Sequence, residues 1–219
     1  SDVCSSDLFA PIMLAVDTPL VFVVPAALPV ANLRELIERA KARPRELVFG
    51  SSGQGTSGHL AVELLSQRTA ARMTHVPYKG ASQALVDLIG AQIQMLCTST
   101  LPALPHVRSA QLRALAVTTA ARSRAAPDIP TVAEAAVLPG YRASSWYALL
   151  APARTPAAIV AKIHAAASAT LTSPDVIAQL LAHGGEPVAS SSQELARFLR
   201  SEIETWTSVI KQAGIKTSS

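Results

Sequence analysis

The chain has 219 residues, 49% of them hydrophobic, 16% charged and 4% aromatic, enough apolar mass for one large domain or two small ones. Its formal charge of +4, from 19 Lys and Arg against 15 Asp and Glu, is a mild bias toward anionic partners. It falls short of nucleic-acid binding, because no dense basic stripe is interleaved with aromatics. No run of about 18 consecutive apolar residues exists to form a membrane-spanning helix, and Cys4 and Cys97 have neither metal-ligand spacing nor the numbers for a disulfide framework.

The first residues, Ser1 to Leu8, have no period, no basic start and no apolar core, so they do not read as a signal peptide. An apolar strand pattern follows almost at once, from Met13 to Val24. The expectation is a non-native leader ahead of a chain whose real beginning is missing. Val21-Phe22-Val23-Val24, ended by Pro25, reads as a buried strand. Leu33, Leu36, Ile37 and Ala40 recur at helical spacing, and Pro44 closes that helix. Leu47-Val48-Phe49 is the next strand. The following helix is capped by Thr56 or Ser57 and carries Leu60, Leu64 and Leu65 on its apolar side. Met73 to Val76 reads as a strand, the segment around Ala84, Leu85, Leu88 and Ile89 as a helix stopped by Gly90, and Ile93 to Cys97 as a strand. Leu101 to Val107 contains two prolines and reads as broken helical turns. Leu112 to Val117 is a further strand.

This alternation predicts an α/β fold with a mostly parallel sheet covered on both faces. Residues 121–140 read as a surface excursion in which Thr131-Val132-Ala133-Glu134 forms a capping box. Ser144 to Leu150 is a strand ended by Pro152. Beyond it the pattern turns helical. Thr155-Pro156 and Ser173-Pro174 read as starts with proline at the first helical position. A last helix opens at Ser191-Ser192 and carries Leu195, Phe198, Leu199, Ile203, Trp206 and Ile210 on one face. A short strand falls near Pro187-Val188. These helices expect more sheet to cover than the chain supplies.

The run Val48 to Leu60, strand then Gly/Ser turn then helix, carries the chemistry. Gly53-Gln54-Gly55-Thr56-Ser57-Gly58 matches G-x-G-x-x-G. A dinucleotide site needs an acid about 20 residues on to hold the ribose, and Met73 to Tyr78 supplies none. The Gly-Lys-Ser/Thr ending of a P-loop is also missing. A carboxylate site fits better. Ser51, Ser52, Thr56 and Ser57 offer hydroxyls, and Gly53 and Gly55 let backbone N–H groups approach at a positive helix end. The plain alternative is a tight turn needing glycine only for geometry. His59 is either a site residue or a capping residue of the first turn. His75 reads first as a structural hydrogen-bonder, and Tyr78, Lys79 and Gly80 form the next loop. Thr98, Ser99 and Thr100 end another strand, so three loops gather where ligands sit in open α/β sheets. No nucleophile, base and orienter can be assembled, and the five histidines form no metal motif. Trp146 and Tyr147 line a cleft or pack in a core.

Several of these segments together resemble the Bug/TctC family, the extracytoplasmic solute receptors of tripartite tricarboxylate transporters. They are Phe49 to Leu60, His75 to Gly80, Leu112 to Thr118, Pro127 to Glu134, and Ser145 to Pro152, within a likeness running from about Pro11 to Lys216. The resemblance implies a type 2 periplasmic-binding-protein fold, here N-terminally truncated, in which two α/β domains close on a solute. It implies a division into residues 1–20 (leader and incomplete start of domain one), 21–147 (second domain) and 148–219 (C-terminal part of domain one). It further implies a periplasmic receptor, not an enzyme, with no cofactor and no metal. The partners would be a small carboxylate and the membrane permease subunits. The implied ligand set is Ser51, Ser52, Gly53, Gly55, Thr56, Ser57, His59, Tyr78, Lys79, Gly80, Thr98 and Ser99. Relatives commonly carry an acid just before this serine region where this chain has Cys97, which leaves the choice of carboxylate open. A dinucleotide-dependent enzyme and a sensory module of the same fold are the alternatives.

Overall fold

The computed structural model describes residues 8–215. Of the leader expected over Ser1 to Leu8, only Leu8 is described; the remainder, Cys4 included, lies outside the described residues. In chain order the elements are β1 (Phe9–Pro25), α1 (Leu33–Ala42), β2 (Val48–Ser51), α2 (Ser57–Thr69), β3 (Thr74–Pro77), α3 (Ala81–Ile89), β4 (Met95–Ser99), α4 (Thr100–Arg108), β5 (Leu112–Val117), α5 (Val132–Ala136), β6 (Ser144–Pro152), α6 (Ala157–Leu171), α7 (Pro174–Ala182), β7 (Glu186–Pro187) and α8 (Ser192–Ala213).

The chain divides into two compact units. Among the described residues, one comprises residues 8–18 and Trp146–Thr205, and the other Pro19–Ser145 with residues 206–215. In the larger unit the strand order is β3-β2-β4-β1-β5. β2 runs parallel to β3 and β4, whereas β1 runs antiparallel to β4 and β5. The sheet is therefore mixed at its centre, where the sequence pattern suggested a nearly parallel one. A run buried on both faces looks the same in either direction, so composition carries no sign of strand polarity.

Alternation along β1 splits the core. Leu20, Phe22 and Val24 join Leu33, Leu36, Ile37, Val62 and Leu65 on one face. Val21 and Val23 join Leu85, Leu88, Leu96 and Leu112 on the other. Trp206 and Val209, from the end of α8, pack into the first of these clusters. The Tyr141 hydroxyl, fully buried, donates to the Ala61 carbonyl at 2.7 Å. The Arg113 guanidinium donates to the carbonyls of Ala26, Leu28 and Val30. This braces the segment between β1 and α1.

Three local expectations need correction. α4 is one continuous helix, not broken turns: Pro102 lies in the first turn, where no intrahelical N–H is needed, so only Pro105 removes a helix bond. Pro156, not Thr155, is the N-cap of α6. Thr56 caps α2 by backbone position only, because its hydroxyl donates back to the Gly53 carbonyl at 2.8 Å. The Thr131–Glu134 capping box forms as the sequence spells it.

In the smaller unit the N-terminal part of β1 pairs with β6 and β7, and Ile12, Met13 and Ala151 form its buried cluster. α6 and α7 bury no residue fully. Trp146 donates to Glu202 at 2.8 Å and meets Phe198 edge-on, a packing role, while Tyr147 is exposed. No helix among the described residues is long and apolar enough to cross a membrane.

Candidate functional site

Parallel pairing brings the C-terminal ends of β3, β2 and β4 to one edge of the larger unit's sheet, with neighbouring strands about 4.8 Å apart. The loops carrying all the predicted site residues leave from this edge, and α2, α3 and α4 begin just beyond it. The N-caps of these helices are Thr56, Gly80 and Ser99, and none supplies a side-chain cap bond. The other two N-termini beginning in this unit that carry a described cap, α1 and α5, are closed by Asn32 and by the Thr131 box. Unsatisfied N–H groups are therefore concentrated at the strand ends, where an anion can take them up.

Hydroxyls surround these ends. Ser145 Oγ donates to Ser57 Oγ at 3.0 Å, which leaves the Ser57 hydroxyl hydrogen to point elsewhere. Thr98 is buried and Ser99 half-buried. Thr100 Oγ1 and Ser144 Oγ are buried and, among the described residues, without a hydrogen-bond partner. Such orphans are uncommon in folded proteins and mark a place where water or a ligand group completes the bonding. The sequence already places Thr100 among the strand-end hydroxyls, whereas Ser144 and Ser145 are not singled out there as site residues. The two serines read only as the start of a strand, and Ser145 lies 88 residues from Ser57.

The glycine loop is braced from within. Gly53 and Gly55 take φ values of +142° and +76°, which suit glycine. Ser51 is fully buried. Its Oγ accepts the Gly53 N–H at 3.2 Å, lies 2.9 Å from the Gly53 carbonyl and is 2.7 Å from His75 Nε2. These contacts use the hydroxyl's bonding capacity and tie Ser51 to the loop and to His75. His59 is also buried and accepts the Gly55 N–H on Nδ1 at 3.0 Å. Ser52 is half-buried on the loop and Lys79 is exposed. Tyr78 is anchored, its hydroxyl donating to Asp87 Oδ2 at 2.7 Å. Burial and that carboxylate partner push the phenol up to about 12. Cys97 is buried and its thiol is pushed well up by desolvation, which makes it unreactive. A concavity of about 470 Å³ in this unit is lined by Arg34, Ile37, Lys41, Arg68 and Val137, none of them at the strand ends. No group of three or more His, Cys, Asp or Glu with metal-binding geometry occurs among the described residues.

His75 is pushed down to about 4, first by burial and next by the neighbouring His59, against an opposing pull from Glu63. Because the folded value lies below the ordinary 6.5, the unfolded chain takes up the proton first as pH falls. Stability is full above pH 6.5 and is lost between about 6.5 and 4. Allowing for partial exposure, the expected loss is about 2 kcal/mol by pH 4. His75→Gln should remove most of this loss from urea unfolding curves at pH 7 and pH 4, and an unchanged difference would count against the assignment.

The family model for the tripartite tricarboxylate transporter family receptor matches residues 4–215. A UPF0065 protein in the tcbD-tcbE intergenic region of Pseudomonas sp. (strain P51) is 36% identical over 202 residues, covering 92% of this chain and 60% of the relative. Protein BugT of Bordetella pertussis is 35% identical over 206 residues, covering 94% and 63%. The chain thus spans somewhat under two thirds of the length of these curated relatives. Among solved structures, R. palustris Rpa4515 with adipate aligns with a TM-score of 0.80 at 36% identity, covering 96% of this chain and 70% of that one. MatC from Rhodopseudomonas palustris with bound malate aligns at 0.74 and 29%, covering 92% and 69%. The mixed α/β architecture is thereby that of the type 2 periplasmic binding proteins in this group. The chain belongs to the tripartite tricarboxylate transporter receptor family.

Proposed function

We propose that this protein is a periplasmic receptor that captures a small carboxylate and delivers it to the membrane subunits of a tripartite tricarboxylate-type transporter. The observation that carries the reading is the edge formed by β3, β2 and β4. Three helices start there with no side-chain cap, beside buried hydroxyls that lack partners among the described residues. Backbone N–H groups and hydroxyls of this kind bind carboxylate oxygens directionally and without bond chemistry. The proposed ligand wall is Ser52, Gly53, Gly55, Thr56, Ser57, Tyr78, Lys79, Gly80, Thr98 and Ser99, with Ser145 and Thr100 added. Ser51 and His59 hold the loop from behind. The relatives bound to adipate and to malate support a dicarboxylate as the first solute to try. Capture would shift an open–closed equilibrium toward the form that holds the solute better.

The test is a thermal-shift titration of the protein expressed from its complete gene, against adipate, malate, citrate and NAD. A ligand at 100 times its dissociation constant adds about 2.7 kcal/mol, a rise of several degrees. A shift with a carboxylate supports the reading. A shift with NAD alone overturns it in favour of a dinucleotide enzyme. Co-purification with a sensor kinase in place of a permease would redirect the delivery step.

A further inference from the structure

We propose that the stacked rings of His59 and His75 are positioning residues for the Gly53–Thr56 loop, and that adding a proton to the stack releases this loop. The two imidazoles lie face to face with centroids 3.8 Å apart and planes 10° from parallel. Phe49 lies beside the pair, 4.8 Å from the His75 ring and 6.0 Å from that of His59. Each ring holds one part of the loop: His59 Nδ1 accepts the Gly55 N–H at 3.0 Å, and His75 Nε2 meets Ser51 Oγ at 2.7 Å, the oxygen that also accepts the Gly53 N–H. The two glycines flanking Gln54 are thus both tied to one aromatic pair.

This arrangement requires uncharged rings. Nδ1 of His59 can accept the Gly55 N–H only while it carries no proton, so the ring's hydrogen sits on Nε2, which faces Glu63 Oε1 at 3.7 Å. A second proton on His59 sets two donors against each other at Gly55 and breaks that bond. A proton on His75 places a cation face to face with the buried His59 ring. The charged and titratable groups around the pair can be named. From α2 there are His59 itself and Glu63, while β2 contributes Phe49 and Ser51, which do not titrate in this range. Arg45 and Arg72 line a concavity with Glu63. The low value of His75, about 4, agrees with a stack that resists protonation.

The ligand part of this inference rests on the carboxylate-receptor reading; the loop part does not. The test is amide hydrogen exchange on the protein at pH 7 and pH 4.5, reading Gly53 and Gly55 against Leu96 in β4. The protonated fraction of a group titrating near 4 rises about 240-fold over that interval. The expected result is a fall of more than tenfold in the protection of Gly53 and Gly55, with Leu96 unchanged. In the double variant His59→Gln/His75→Gln, whose amides keep acceptors but do not titrate, protection of the loop should be independent of pH. Equal protection at both pH values in the unaltered protein overturns the inference, and so does an equal fall in the variant. In parallel, adipate affinity should weaken more on acidification in the unaltered protein than in the variant, and the ligand's own ionisation cancels in that comparison. If adipate and malate both fail to bind at pH 7, the receptor reading fails while amide exchange still decides the role of the stack.

Discussion

Gly58→Ala is expected to lower the thermal unfolding midpoint by roughly 10 °C, although alanine is the better helix former by about 1 kcal/mol. Gly58 lies in the first turn of α2, and a Cβ built there falls 2.2 Å from the Cys97 carbonyl oxygen and 3.2 Å from its carbon. Both sides of that contact are backbone, so no rotamer change relieves it, and α2 must lift off β4. Overpacking of this kind costs about 1–3 kcal/mol, and more where nothing yields. A net loss near 3 kcal/mol follows, readable by calorimetry or urea unfolding. The loss should come with weaker ligand binding, because the same displacement moves the α2 N-terminus out of the strand-end edge. A variant as stable as the unaltered protein would show that α2 does not pack on β4 as closely as described.

Ser57→Asp should separate stability from binding, moving them in opposite directions. α2 has no acidic residue in its first turn, and an aspartate there should stabilise the helix by about 0.3–1 kcal/mol through the macrodipole. It also accepts the Ser145 hydroxyl, as Ser57 does now. For a carboxylate approaching the same N–H groups, the new charge is repulsive. Two like charges about 4 Å apart near a protein surface repel by about 4 kcal/mol, so adipate or malate should bind at least about 100-fold more weakly. Calorimetric titration of the complete protein, with unfolding curves beside it, reads both effects. Unchanged carboxylate affinity would move the ligand away from the α2 terminus. Loss of stability together with binding would make Ser57 a structural residue only.

The glycine loop shows how far local chemistry reaches. Its glycines, hydroxyls and position between strand and helix are all written in sequence, because positive φ values and turn formation are properties of a few adjacent residues. The same holds for the Thr131–Glu134 box, whose members are three residues apart. The roles of individual hydroxyls are different. Ser51 read as a ligand donor, yet it is fully buried against His75. Thr56 read as a side-chain cap, yet its hydroxyl prefers the Gly53 carbonyl. In each case a competing partner lay within reach, and only distances decide between partners.

Long-range pairings were harder to read. The Ser145–Ser57 bond joins residues 88 apart in the chain. The His59–His75 stack exists because β3 pairs beside β2 and α2 folds back over them. β1 serves the sheets of both units and runs against its neighbours, which an apolar run cannot announce. The order of strands and helices, their apolar faces and the chemistry of the strand-end loops were determined by the sequence, since hydrophobic period, turn residues and the family motifs act over a few positions. Strand direction, the uncapped helix ends with their orphaned hydroxyls, and the contacts that bury Ser51 and His59 were decided by the tertiary structure alone, since burial and hydrogen-bond competition depend on which distant segments meet.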